Sequence, residues 1–352
     1  MTDLATRGKA GRMIRQPLVA MTKMFTPRWR GSWFAHLQTW RPYTVWYAGL
    51  VGLAGGVLAG QGHAAAWLLA VAWGGPTLGW LAGHYLGDYF DRDLDAVSKP
   101  RRPIPSGRLS SAGAVTAGTL CLIGFSGLAL AANQRSVVLV AAIGAGIVAY
   151  SRFFKARGLA GNVTRGALTS MAFVFGSMTV SPWPPLEVIA FAPAFWAHDT
   201  ASNLIGTLRD VDGDRACGYH TMPVRRGVAA TVRAAAALYA VSLLNVAVVG
   251  SLLAQEAARP GVFAFLFLAT GMGLADFMLL FRFSPQSPPL LALHAHEVLV
   301  LERLVLTGSL LALGMGLTTT VALLAPVLLL SAVTQALMRT KHEGTDTPRR
   351  AL

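Results

Sequence analysis

Four aspartates form two pairs with the same spacing, Asp91 with Asp95 and Asp210 with Asp214. On a helix an i, i+4 spacing puts both carboxylates of a pair on one face. The pairs lie in two acidic windows, Gly87 to Asp95 and Asp199 to Asp214, which hold eight of the chain's 16 acidic residues. Each window closes a long apolar stretch. Carboxylates at a membrane boundary are costly unless a cation binds them, so the pairs point to a bound metal. Mg²⁺ suits them, because it takes one or two carboxylates together with phosphate oxygens and water. Two facing pairs could hold roughly two or three Mg²⁺ between them and a diphosphate.

The surrounding residues fit the same chemistry. Lys99, Arg101, Arg102 and Arg108 follow the first window, and Arg209, Arg215 and Arg225 accompany the second. These cations could complete an anion site by charge-assisted hydrogen bonds. A diphosphate held this way is a good leaving group, and an allylic diphosphate would ionise to a carbocation that an apolar, aromatic cavity shields from water. Asp199 sits within an apolar run beside His198 and Asn203; an ionisable residue at that depth is a candidate for orienting or deprotonating a second substrate. The plainer readings are solvated helix faces, acids paired with Arg92 and Arg209, interfacial His63, His294 and His296, and an internal Glu302–Arg303 pair. Two acid pairs at matching positions, each followed by a basic Pro/Gly loop, favour the metal site.

The elements that must position these groups are membrane helices. The 352 residues are 54% hydrophobic and 13% charged, with mean hydropathy +0.51. A soluble domain carries about 25% charged residues. Apolar runs are expected as helices at 43–61, 64–87, 112–132, 135–150, 162–181, 186–206, 229–254 and 261–281. A last tract, 297–338, is long enough for two spans with a break at Gly314-Met315-Gly316. The expected fold is an all-α polytopic bundle of nine or ten transmembrane helices around a central cavity open to the cytoplasm. Residues 1–40 form a basic cytoplasmic tail with Trp29, Trp33, Phe34 and Trp40 at the interface, 41–340 the membrane domain, and 341–352 a polar tail.

A formal charge of +14 would suggest nucleic acid in a soluble protein. Here the cations concentrate in alternate loops, at Arg92 to Arg108, Arg152 to Arg157 and Arg209 to Arg226, which the positive-inside rule explains without nucleic acid. That alternation places the N-terminus and both acidic windows on the cytoplasmic side, with a bacterial plasma membrane as the expected location. Two cysteines, Cys121 and Cys217, make no disulfide framework or C-x-x-C motif. The order acid pair, basic Pro/Gly loop, small-residue helix occurs twice, and repeats of this kind place a site where they face each other.

These residues resemble the UbiA superfamily of intramembrane prenyltransferases. The segment Asp88 to Asp95 with Arg102-Pro103-Ile104-Pro105-Ser106-Gly107-Arg108 is similar to its first Asp-rich motif and loop. Arg209 to Asp214 with Gly218 and Thr221-Met222-Pro223-Val224 is similar to the second, and Trp40-Arg41-Pro42 to the helix-1 Arg-Pro. The resemblance implies transfer of an isoprenyl group from its diphosphate to an aromatic or other lipophilic acceptor in the bilayer. It implies Mg²⁺ on Asp91, Asp95, Asp210 and Asp214. Arg41, Asp88, Lys99, Arg102, Arg108 and Arg215 would then contact substrate, and Asp199, His198 and Asn203 would serve the acceptor. Where the family's first motif usually begins with Asn, this chain has Gly87; Asp88 points about 100° away on a helix. Some relatives look like terpene cyclases, which ionise the same diphosphates without an acceptor.

Overall fold

A computed structural model describes residues 28–284 and 289–343. An N-terminal helix, α1 (Arg28–Trp40), leads into a bundle made of α2 (Trp46–Gly60), α3 (Ala66–Phe90), α5 (Ser111–Ala132), α6 (Val137–Ala149), α7 (Leu159–Val180), α9 (Ala192–Thr207), α11 (Met222–Leu253), α12 (Arg259–Phe283), α13 (Pro289–Met315) and α14 (Leu317–Glu343). Three short helices, α4 (Arg92–Ser98), α8 (Leu186–Ile189) and α10 (Val211–Ala216), sit in connections. Most of the expected tail, residues 1–27 and 344–352, lies outside the described residues; so does any account of the side chain of Trp29. Trp33 and Phe34 are exposed, whereas the indole nitrogen of Trp40 donates to Tyr85 Oη at 2.6 Å.

Among the described residues six helices are long and apolar enough to cross a membrane on those grounds alone: α5, α6 with its π-helical end Tyr150–Phe154, α11, α12, α13 and α14. The sequence leads one to expect nine or ten. The difference lies in α2, which is apolar but only 15 residues long, and in α3, α7 and α9, which carry polar groups of the interior such as His84, Asp88, Asn162, Arg165, His198 and Asp199. Helices suit this environment because every interior N–H and C=O is satisfied within the helix. Leucines and phenylalanines of α5, α11, α12 and α14 stand exposed on the outer face, where bilayer replaces protein. The chain is an integral membrane protein.

Packing inside relies on small residues. A Cβ placed on Gly176 would lie 1.8 Å from the carbonyl oxygen of Gly52, and one on Gly55 would lie 2.1 Å from that of Phe173. α2 and α7 therefore cross backbone to backbone, as glycine-rich membrane helices do. α13 is the most enclosed of the six apolar helices, held against α2, α9, α12 and α14.

Three boundaries differ from the sequence reading. The last tract begins at Pro289 rather than 297, which puts His294 and His296 on a helix, and it breaks at Gly316, where φ is +80°. The expected helix 186–206 is split into α8 and α9 at Ala190–Phe191, just before Pro193 starts α9. α11 starts at Met222 rather than 229 and runs through a kink at Gly227, where φ is +80°.

Candidate active site

α3 ends at Phe90, and α4 continues one residue later with Asp91 between them. The Asp95 amide still donates to the Asp91 carbonyl at 2.8 Å, so the turn is unbroken and both carboxylates stay on one face. Asp210 likewise precedes α10, placing Asp214 one turn further on. Both pairs face one cavity of about 600 Å³, together with Asp88, Arg41, Lys99, Arg102, Asp199 and Asn203. The expectation that the two windows cap a common cavity holds in this geometry.

Each acid already has a partner. Lys99 Nζ lies 2.9 Å from Asp210 Oδ1, and Arg209 Nε lies 3.4 Å from Asp210 Oδ2. Arg102 reaches Asp95 at 2.7 Å, and Arg41 reaches Asp88 at 2.6 Å. Lys155 is bonded to Asp91, and the Thr221 hydroxyl donates to Asp214 at 3.0 Å. Five acids (Asp88, Asp91, Asp95, Asp210, Asp214) thus meet five cations (Arg41, Lys99, Arg102, Lys155, Arg209) around the cavity mouth. Burial opposes ionisation of Asp210, but Lys99 and Arg209 outweigh it and hold the carboxyl well below the usual carboxylate range. Burial, reinforced by neighbouring Asp210, pushes the Asp214 carboxyl up. For Lys155 burial is outweighed by Asp91, which raises the ammonium.

Not every expected residue joins the site. Arg108 turns away to brace the loop, donating to Gln38, Ser106 and the Arg101 carbonyl. Arg215 is exposed and pairs with Asp212 at 3.6 Å. His198 does not line the cavity: it is fully buried and bonded to Glu302, which also accepts from Tyr239 Oη at 3.0 Å. Successive helical residues project about 100° apart, so Asp199 faces the cavity while its neighbour faces α13. The same geometry separates Glu302 from Arg303. They do not pair with each other; Arg303 reaches Asp199 at 3.5 Å.

Several lining residues carried no distinct signal in the sequence. By sequence Lys155 is one cation of the Arg152 to Arg157 loop, which topology explains. Asn162 and Arg165 lie in the first turns of an apolar helix, and Asn162 donates to Asn203 at 2.7 Å. Arg339 and His296, bonded to each other, line the wall as well. Gly87 opens directly on the cavity, and a Cβ built there would meet nothing within 4 Å.

The donor set fits Mg²⁺ with a phosphate ligand. Among the described residues no three His, Cys, Asp or Glu side chains converge on one ion position. Carboxylates arrive singly or in pairs with cations between them, which suits an ion that completes its octahedron with substrate oxygens and water.

The described residues thus form a polytopic helical bundle with two aspartate windows over one interior cavity. The UbiA prenyltransferase family is matched over residues 48–295, and the chain belongs to it. It is similar to the digeranylgeranylglyceryl phosphate synthases of Natronomonas pharaonis (33% identity over 164 residues, 47% of this chain and 59% of the relative) and Halobacterium salinarum (32% over 184 residues, 52% and 66%). The match therefore spans less than two thirds of these relatives' lengths. Among solved structures, it resembles a digeranylgeranylglyceryl phosphate synthase (TM-score 0.61, 16% identity, 81% of this chain and 99% of the other). It also resembles a UbiA homolog from Archaeoglobus fulgidus bound to DMAPP and Mg²⁺ (0.55, 17%, 87% and 98%). At these identities the structures establish the fold.

Proposed function

We propose that the protein is a Mg²⁺-dependent prenyltransferase that moves an isoprenyl group from its diphosphate to a lipophilic acceptor. One observation carries the reading: each of the five acids at the cavity mouth is held by a cation or hydroxyl that a diphosphate complex can take over. A diphosphate and its Mg²⁺ ions are close to neutral as a unit, so they enter a mouth whose own charges balance. Asp91, Asp95, Asp210 and Asp214 would hold the metal, which when bound neutralises charge on the leaving diphosphate. Arg41, Lys99, Arg102, Lys155 and Arg209, released from the acids, turn their donors to phosphate oxygens.

The hydrocarbon has a place as well. An apolar slot lined by Gly79, Phe125, Ile143, Ile147 and Leu168 shares Trp80, Gly83, His84 and Arg165 with the cavity. The slot is about 70 Å³, room for the first carbons of an isoprenyl chain, and their lying there would keep the reacting carbon near the polar mouth and away from water. The relatives' names favour a glycerophosphate lipid as acceptor, and the A. fulgidus homolog binds a short allylic diphosphate with Mg²⁺. The loop cations favour a site facing the cytoplasm.

The test is diphosphate release from geranyl diphosphate by the purified protein, with and without Mg²⁺ and with a glycerophosphate lipid acceptor. Asp91→Asn and Asp210→Asn should each abolish it while the fold survives in circular dichroism. Release that persists in both variants would remove the metal site from the mechanism. A cyclic product formed without acceptor would replace transfer by cyclisation.

A further inference from the structure

Further into the bundle the cavity carries a second charged group that the diphosphate chemistry leaves unused. Asp199 lies eleven residues before Asp210, roughly 17 Å along the helical path. Its carboxylate accepts from Thr169 at 2.9 Å and is flanked by Arg165 at 3.6 Å and Arg303 at 3.5 Å. Two cations therefore share one carboxylate, at distances too long for strong hydrogen bonds.

Arg303 is 3% exposed, lies halfway along α13, and its Nε has no hydrogen-bond partner. Its guanidinium is stacked 4.2 Å from the centre of the Tyr47 ring and 5.4 Å from that of Trp80. Arg165 stands 4.7 Å from the same Trp80 ring. Aromatic faces fix a guanidinium's plane while leaving its N–H edge available, and that edge is shaped for carboxylate or phosphate. Burying a cation with a donor left unused is costly unless an anion completes it.

The donor's charge does not need these arginines. Its diphosphate has Arg41, Lys99, Arg102, Lys155 and Arg209 at the mouth, and its chain has the apolar slot. We propose that Arg165 and Arg303 take an anionic head of the acceptor, a phosphate or a carboxylate, with Asp199 positioning the two guanidiniums. The inference rests on the prenyltransferase reading and narrows its acceptor to anionic molecules. Asp199, already committed to two arginines and Thr169, then acts as their shared counterion.

The experiment compares binding of geranylgeranylglyceryl phosphate, its dephosphorylated glycerol and 4-hydroxybenzoate to the full-length protein in detergent, with geranyl diphosphate and Mg²⁺ binding measured alongside. Arg303→Gln should weaken the anionic probe that binds by roughly 10- to 100-fold, the loss of a charged hydrogen bond. Binding of the neutral glycerol and of the donor should stay within about twofold, a difference worth less than half a kcal/mol. Arg303→Lys should recover part of the loss. Arg303→Lys, which keeps the buried charge but loses the planar fork, supplies the same readout if the Gln variant does not fold: the anionic probe should still bind more weakly than to wild type while the donor does not. Whether the phosphate or the carboxylate probe responds identifies the anion. Equal weakening of charged and neutral probes, a loss confined to the donor, or wild-type protein that prefers the neutral glycerol overturns the inference. Wild-type protein that fails to bind geranyl diphosphate with Mg²⁺ overturns the prenyltransferase reading instead.

Discussion

Lys155→Met removes the cation that holds Asp91 and keeps most of the side chain's volume. Truncating one partner of a fully buried ion pair costs about 3–5 kcal/mol, because the other charge is stranded. Here the side chains of Lys155 and Asp91 are 27% and 12% exposed, so water reaches the pair. The ligand-free protein should then lose about 2 kcal/mol. If Lys155 transfers from Asp91 to the diphosphate, two constants must move in opposite directions. The Michaelis constant for geranyl diphosphate should rise about tenfold or more, for a lost charge-assisted bond of about 1.5–3 kcal/mol. Half-saturating Mg²⁺ should fall, because the metal no longer displaces an ammonium from Asp91. Diphosphate release measured over a grid of donor and Mg²⁺ concentrations, beside thermal unfolding in detergent, gives all three quantities. An unchanged donor constant would refute the exchange, and a rise in both constants would reduce Lys155 to a scaffold for Asp91.

Asp210→Asn tests the electrostatics without ligand. The folded-state carboxyl is depressed by Lys99 and Arg209, so its stabilisation is present above the unfolded carboxylate range and lost only as pH falls towards its folded value. In Mg²⁺-free detergent the melting-temperature gap to wild type should be constant from about pH 7 to 5 and narrow below about pH 4; a gap that widens on acidification contradicts the assignment. Gly87→Ala meets open space within α3 and should stabilise the helix by about 0.5–1 kcal/mol, read as a higher melting temperature. A loss of stability there would show that the apparent room is needed by the fold.

The sequence made the helices legible because their signal is local: apolar runs of membrane length bounded by cationic or Gly/Pro loops. The acid pairs were legible for a related reason, since an i, i+4 spacing carries its own geometry. Gly316 was readable because a small residue between two spans' worth of apolar chain has few other uses. What escaped was pairing across the bundle. Lys155 looked like any loop cation until α6 and the loop after it were placed beside Asp91. Glu302 and Arg303 looked like each other's partners, yet a helix turns them to different neighbours, one to His198 and the other to Asp199. Arg108 and Arg215 have the right type and position in the sequence, but the fold engages one in bracing its loop and leaves the other on the surface.

Two residues of backbone join the loop that carries Lys155 to the one that follows Asp214. Arg157–Gly158 (β1) pairs in parallel with His220–Thr221 (β2), and the His220 amide also donates to the Ala156 carbonyl at 2.9 Å. Lys155 is two residues from one strand, and Thr221, which holds Asp214, ends the other. The residue that holds Asp91 and the residue that holds Asp214 are thereby tied to one another through backbone. The two aspartate windows are thus joined by backbone hydrogen bonds as well as by the cavity they share.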